Sequence, residues 1–151
     1  MDTTMTIKDK LDTDLKTALK SKDAVTTGVV RLLLNAIKNE EFKVRDELGD
    51  EAVIGVLSTQ AKQRRESIEA FENAGRTELA EKEKRELEII QTYLPEQLSE
   101  DELEKLIDEE IAESGASSPK EMGKVMKLLT PKTKGRADGK VVSELVRKKL
   151  T

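Results

Sequence analysis

Apolar residues recur along this chain at intervals of three and four, and no stretch keeps the two-residue alternation of a half-buried strand. Ile7, Leu11, Leu15, Ala18 and Leu19 outline a first helix. Thr6 with Asp9 three residues on resembles a capping box with Asp in place of Glu. A second helix is predicted from Ser21 or Asp23 to about Val44. Its apolar positions are Val29, Val30, Leu32, Leu33, Leu34, Ala36, Ile37 and Phe42, which cover most of its circumference. That marks it as the central core helix. Arg31 sits inside this apolar run, so the expectation is a buried guanidinium held by an internal ion pair. Gly49-Asp50 starts a third helix, with Val53, Ile54, Leu57, Ala61, Ile68 and Phe71 on one side and Asn73-Ala74-Gly75 as its stop. A fourth runs from Thr77 to Leu94, where Pro95 blocks continuation.

Pro95-Glu96-Gln97-Leu98 reads as a linker. Ser99 and Glu102 make a capping box for a fifth helix, with Leu103, Leu106, Ile107 and Ile111 inward and Gly115 just past its end. Ser118-Pro119-Lys120-Glu121 predicts the next start, with Ser as N-cap, Pro at the first helical position and Glu at the third. Met122, Val125, Met126 and Leu129 form that helix's stripe. After a basic loop, Asp138 caps a seventh helix carrying Val141, Val142, Leu145, Val146 and Leu150. The pattern therefore predicts an all-α protein: an N-terminal four-helix unit over residues 1–94, then a small three-helix unit over residues 99–151. No internal repeat interrupts it.

Composition narrows the chemistry. Of 151 residues, 38% are charged and only Phe42, Phe71 and Tyr93 are aromatic, which suits exposed helices around a thin core. The chain has no Cys, His or Trp. That removes thiol chemistry, Ser-His-Asp pairing and ordinary zinc sites, so no cofactor or metal is expected. No apolar run reaches the roughly 18 residues of a membrane span. Lys8, Asp9, Lys10 and Asp12 interrupt any apolar signal segment. The expectation from these features is a cytosolic protein with no membrane role.

Charge is unevenly placed. Residues 116–151 carry ten Lys and Arg against three acids, a balance of +7, while the whole chain carries −4. A basic end on an acidic chain can gather a polyanion. Within it, Lys132, Lys134, Gly135, Arg136, Gly139 and Lys140 are the candidate RNA-binding residues. The glycines allow close backbone approach, the cations face phosphate, and the next helix offers free N–H groups at its start. No aromatic is near for base stacking, so such contact would read backbone and shape. Lys62, Arg64 and Arg65 form a secondary binding candidate, with Arg65–Glu69 expected to pair at i,i+4. Ser58 and Lys62 stand four apart as a Ser–Lys dyad would, a spacing common by chance on a charged helix. The acids from Glu100 to Glu113 read as a solvated helix face rather than a metal site. No catalytic residue is assigned.

Four segments in order carry a family resemblance: Val30-Arg31-Leu32-Leu33-Leu34-Asn35-Ala36-Ile37-Lys38; Ala61-Lys62-Gln63-Arg64-Arg65-Glu66-Ser67-Ile68-Glu69-Ala70-Phe71; Tyr93-Leu94-Pro95-Glu96-Gln97-Leu98-Ser99; and Met122-Gly123-Lys124-Val125-Met126 with Gly135-Arg136-Ala137-Asp138-Gly139-Lys140. Through them the chain resembles the GatB/YqeY family, in particular its free-standing bacterial YqeY-like members. The C-terminal part is similar to the tail domain of the GatB component of the aspartyl/glutamyl-tRNA amidotransferase. That enzyme is a carbon–nitrogen ligase with glutamine as amido-N-donor, and its tail domain contacts tRNA. Nothing here resembles its catalytic cradle or its amidase component. The resemblance thus implies a non-catalytic, tRNA-associated helical module. The alternative is a protein–protein adaptor with no RNA role.

Overall fold

The computed structural model describes residues 5–151. Among them are seven α-helices and no strand: α1 (Ile7–Ser21), α2 (Ala24–Val44), α3 (Asp50–Asn73), α4 (Thr77–Gln91), α5 (Glu100–Ser114), α6 (Met122–Thr133) and α7 (Gly139–Leu150). The protein is all-α. Backbone proximity divides the chain into two compact units that meet between Leu94 and Pro95.

The first unit holds α1 to α4. Thr6 and Asp9 complete both bonds of the capping box at the start of α1. The Asp50 carboxylate at the head of α3 accepts the Ile7 N–H at 3.0 Å, tying two helix starts together. Asp23 caps α2 by accepting the Thr26 N–H, and it also accepts the Thr26 hydroxyl proton. The hydroxyl bond, then the backbone bond, holds its carboxyl below the usual range. Helices α1 and α2 both end on non-glycine residues in the left-handed region, Lys22 at φ 60° and Arg45 at φ 57°. Neither end carries a glycine signal in the sequence. Their carbonyls are satisfied instead by backbone N–H groups, such as Asp23 to Ala18 and Asp46 to Glu41.

The core of this unit is aliphatic. Leu11, Val29, Val30, Leu33, Ile37, Val53, Leu57, Ala61 and Ile90 pack together with Tyr93. Helix α2 supplies four of them, as a central helix should. Its apolar arc is narrower than its composition suggests. Leu32 is 39% exposed and Phe42 85% exposed, so both leave the expected core set. Arg31 shares that open face: it is exposed and forms no ion pair among the described residues. The expected internal ion pair at Arg31 is therefore absent. The reason is geometric: Arg31 lies about 100° around the helix from Val30, which is enough to turn it from core to solvent.

The second unit packs α5, α6 and α7 around Leu103, Ile107, Val125, Leu129, Val142, Val146 and Leu150. The Ser99–Glu102 capping box forms, and Gly115 closes α5 at φ 73°. Ser118 does not cap a helix by its side chain: Pro119–Glu121 is a single 3₁₀ turn, and α6 begins at Met122. Glu121 instead accepts the Ser117 N–H at 2.7 Å, which fixes the turn from before its start. Pro95–Leu98 is built into this unit rather than left as a loose connection. Leu98 N–H donates to the Arg136 carbonyl at 2.8 Å, and the Gln97 amide donates to the Gly135 carbonyl at 2.7 Å.

Tyr93 closes the first unit. Its Oη donates to Asp14 Oδ2 at 2.5 Å, joining the chain after α4 to α1. Burial, and then the Asp14 carboxylate, push the phenol well above its ordinary pKa. The native state thus keeps a proton that the unfolded chain loses from about pH 10 upward. This stabilisation is complete below that pH and is lost as pH climbs through the raised native value. Tyr93→Phe is expected to destabilise the unit by about 1.5–3 kcal/mol at neutral pH, the range for a hydrogen bond to a charged group. It should also reduce the loss of stability above pH 10, measured by denaturant melts across an alkaline pH series.

Candidate nucleic-acid interface

The basic end of the chain folds against an acidic helix. Helix α5 carries eight acids and one lysine, while α6 and α7 with their connections carry the cations. The second unit as a whole, residues 95–151, holds eleven Lys and Arg against twelve acids. Its charge is separated rather than net positive. Two of its cations form ion pairs within the unit. Lys132 Nζ donates to Glu110 Oε1, and Lys149 Nζ lies 3.0 Å from Asp108 Oδ1.

Glu110 departs from the expectation that the acids from Glu100 to Glu113 form a solvated face. It is 2% exposed, whereas the other acids of α5 lie at the surface or part-buried. Its Oε2 is buried with no hydrogen-bond partner. The signal is present in its spacing, since Leu103, Ile107 and Glu110 are consecutive members of one inward stripe at i, i+4, i+7. The remainder of the acidic cluster is solvated as expected. Among the described residues no group of three or more acids could hold a metal ion.

The candidate RNA-binding residues divide between two roles. Helix α6 continues through Pro131 to Thr133, so Lys132 belongs to its last turn and not to a loop. Its hydrogen bond to Glu110, with the nearby acids Glu113 and Glu109, raises the Lys132 pKa. Gly135 is buried at φ 76°, and its carbonyl is taken by Gln97. Its left-handed backbone serves an internal turn. Arg136 Nε donates to the Glu96 carbonyl at 3.1 Å. Lys134, Gly139 and Lys140 remain exposed. Asp138 caps α7 by accepting the Lys140 N–H at 3.2 Å, which places a carboxylate at that helix start.

A different cationic surface stands open. Lys124 and Lys127 on α6, Lys120 just before it and Lys134 at its end are all exposed and form no ion pair among the described residues. Lys124 and Lys127, three residues apart, share one face of α6. Lys120 lies in the 3₁₀ turn before that helix and Lys134 is its C-cap residue. Lys140, Arg147 and Lys148 on α7 are likewise exposed and unpaired among the described residues.

The secondary candidates also separate. Arg64 is largely buried, with Nε 3.1 Å from Glu86 Oε2 and 3.4 Å from Glu83 Oε2. It cross-links α3 to α4. Burial, then the charge of Glu86, raises the Glu83 carboxyl. Lys62 is exposed, and the expected Arg65–Glu69 pair does not form among the described residues. Ser58 donates its hydroxyl to the Ile54 carbonyl at 2.7 Å, and among the described residues it makes no hydrogen bond with Lys62.

Residues 8–150 match the family model described as Yqey-like protein. The chain is 34% identical over 146 residues to "Altered inheritance of mitochondria protein 41, mitochondrial" of Pyrenophora tritici-repentis, covering 93% of this chain and 77% of that protein. The protein of the same name in Eremothecium gossypii is 41% identical over 85 residues, 56% of this chain and 46% of that one. Its counterpart in Vanderwaltozyma polyspora is 40% identical over 85 residues, with the same coverage. The chain thus spans about half the length of the last two. These relatives are fungal and named as mitochondrial, and that overturns the cytosolic expectation. The absence of cysteine and of an apolar span fits any reducing aqueous compartment, so neither feature could select the cytosol.

Removing one side of the Glu110–Lys132 pair has a measurable cost. Lys132→Met leaves the Glu110 carboxylate buried without a partner, a loss of about 1–3 kcal/mol. Pairing it with Glu110→Leu should restore most of that stability, because an apolar pair of similar size avoids the buried charge. Urea melts of the two single variants and the double variant measure the coupling. Additive effects would show that the pair contributes nothing.

Proposed function

Because the chain belongs to the Yqey-like protein family, we propose that it is a non-catalytic helical module that associates with tRNA, with its second unit related to the tail domain of the tRNA-dependent amidotransferase. The observation that carries this reading is the row of exposed lysines 120, 124, 127 and 134, continued by Lys140 at the start of α7. Phosphate recognition needs cations that are free to pair, and here Lys124 and Lys127 stand on α6, with Lys120 in the turn before it and Lys134 at its end. Lys132, half exposed beside Glu110, and Arg136, bonded through Nε alone, add to the charge that the exposed row presents. With no aromatic in this unit, bases have no stacking platform, so binding reads shape and phosphate with little sequence preference. The acidic α5 repels the same ligand and confines it to the opposite charge face. Lacking His and Cys, the chain offers the ligand a docking surface rather than a nucleophile.

The test is tRNA affinity across a salt series for the intact chain and for a variant carrying Lys124→Ala, Lys127→Ala, Lys134→Ala and Lys140→Ala. The variant should bind more weakly at low salt. Its log–log salt slope should fall by roughly one unit for each phosphate that it no longer neutralises. Its circular dichroism should match the parent, since all four side chains are exposed. Equal affinity of the two proteins, or no binding by the parent at low salt, removes the RNA reading.

A further inference from the structure

A groove of about 600 Å³ runs between α2 and α3 in the first unit. No carboxylate lines it, although residues 1–94 contain nineteen acids. Its α2 wall presents Arg31, Asn35 and Asn39, and its α3 wall presents Gln60, Gln63 and Arg64. Among the described residues the one side-chain amide that hydrogen-bonds within the protein is that of Gln97, in the other unit. The four amides of the groove therefore keep all their donors and acceptors unused. Arg31 is exposed and unpaired among the described residues. Arg64 is fixed through Nε by Glu86 and Glu83, and its other two nitrogens make no hydrogen bond among the described residues.

We propose that this groove binds an extended peptide segment carrying an acidic side chain. Arg31, Asn35 and Asn39 stand four residues apart, so they rise along one row at intervals of about 6 Å. An extended peptide repeats its orientation every two residues, at about 6.6–6.8 Å. Each Asn offers one carbonyl and one NH₂ group, the complement of a peptide N–H and C=O. Successive amides of the row thus match alternate residues of an extended chain. Gln60 and Gln63 meet the same backbone from the opposite wall. An acidic side chain at the Arg31 end gains a guanidinium fork with no competing carboxylate in the groove. The Cβ position of Gly28 has open space around it, and Leu32, 39% exposed, offers an apolar shelf for an aliphatic side chain. A single-stranded nucleic acid fits less well. It needs stacking platforms and a continuous cationic track, and the groove has no aromatic and one unpaired cation.

The experiment is a titration of the ¹⁵N-labelled chain followed by side-chain NH₂ resonances. The probes are a blocked hexapeptide of alternating alanine and glutamate, its alanine–lysine counterpart, and an eight-nucleotide oligouridylate. The glutamate peptide should shift the signals of Asn35, Asn39, Gln60 and Gln63 saturably, and the lysine peptide should not. Arg31→Ala, and the double variant Asn35→Ala with Asn39→Ala, should each weaken binding by about tenfold or more, the size expected for loss of a charge-assisted bond or of paired amide bonds. Helicity should not change, because these side chains line an open groove and take no part in the core. An equal response to both peptides defeats the charge argument. A response to the oligouridylate alone assigns the groove to nucleic acid instead. No shift with any probe means that the groove is not a site. The tRNA reading of the second unit is measured on different residues and survives each of these results.

Discussion

Each unit depends on burying a narrow aliphatic arc in a chain where more than a third of residues are charged. In the first unit that arc belongs to α2, whose Val29, Val30, Leu33 and Ile37 meet Leu11 of α1, Val53 and Leu57 of α3 and Ile90 of α4. Full burial of such side chains stabilises by roughly 1.5–3 kcal/mol each. Leu32 and Phe42 lie outside that arc, and the α2 face on which Arg31, Asn35 and Asn39 stand is open.

In the second unit a separation of charge accompanies the aliphatic core. An acidic helix and a basic pair of helices pack around a seven-residue aliphatic core. Their opposite charges attract, yet most of these groups stay in water, where an isolated pair is worth little. The exception is Glu110, which is buried and depends on Lys132. Charge separation across so small a unit also concentrates unpaired lysines on one side. What looks in the sequence like a basic tail is, once folded, one face of a strongly polarised body.

Helix positions are legible because caps and stops are local chemistry. Thr6–Asp9, Ser99–Glu102, Asp138 and Gly115 all stand at helix ends, where their residue types place them. Ser118-Pro119 misleads because Pro at a helix start also suits a 3₁₀ turn, and Glu121 finds a backbone partner at Ser117. The ends at Lys22 and Arg45 are invisible as caps, since left-handed lysine and arginine leave no compositional mark. Orientation about the helix axis is less legible than helix position. Apolar neighbours suggest an inward Arg31 and an inward Phe42, but a one-residue step rotates a side chain by about 100°.

The candidate site is legible by charge and not by geometry. A run of cations tells that a polyanion can be attracted. It does not tell which cations the fold itself consumes. Lys132 pairs with Glu110, and Arg136 bonds through Nε to the Glu96 carbonyl, partners 22 and 40 positions away in the chain. No local pattern records such pairing. Lys124 and Lys127, by contrast, share a helical face, although in the sequence the density of cations further along points to the loop after them. The general inference is that in a highly charged helical protein, candidate ligand-binding residues should be chosen from those that remain unpaired after the inward stripes of neighbouring helices have claimed their partners. By that rule, among the described residues, the exposed lysines beside α6 and the unused amides beside α2 are candidate surfaces.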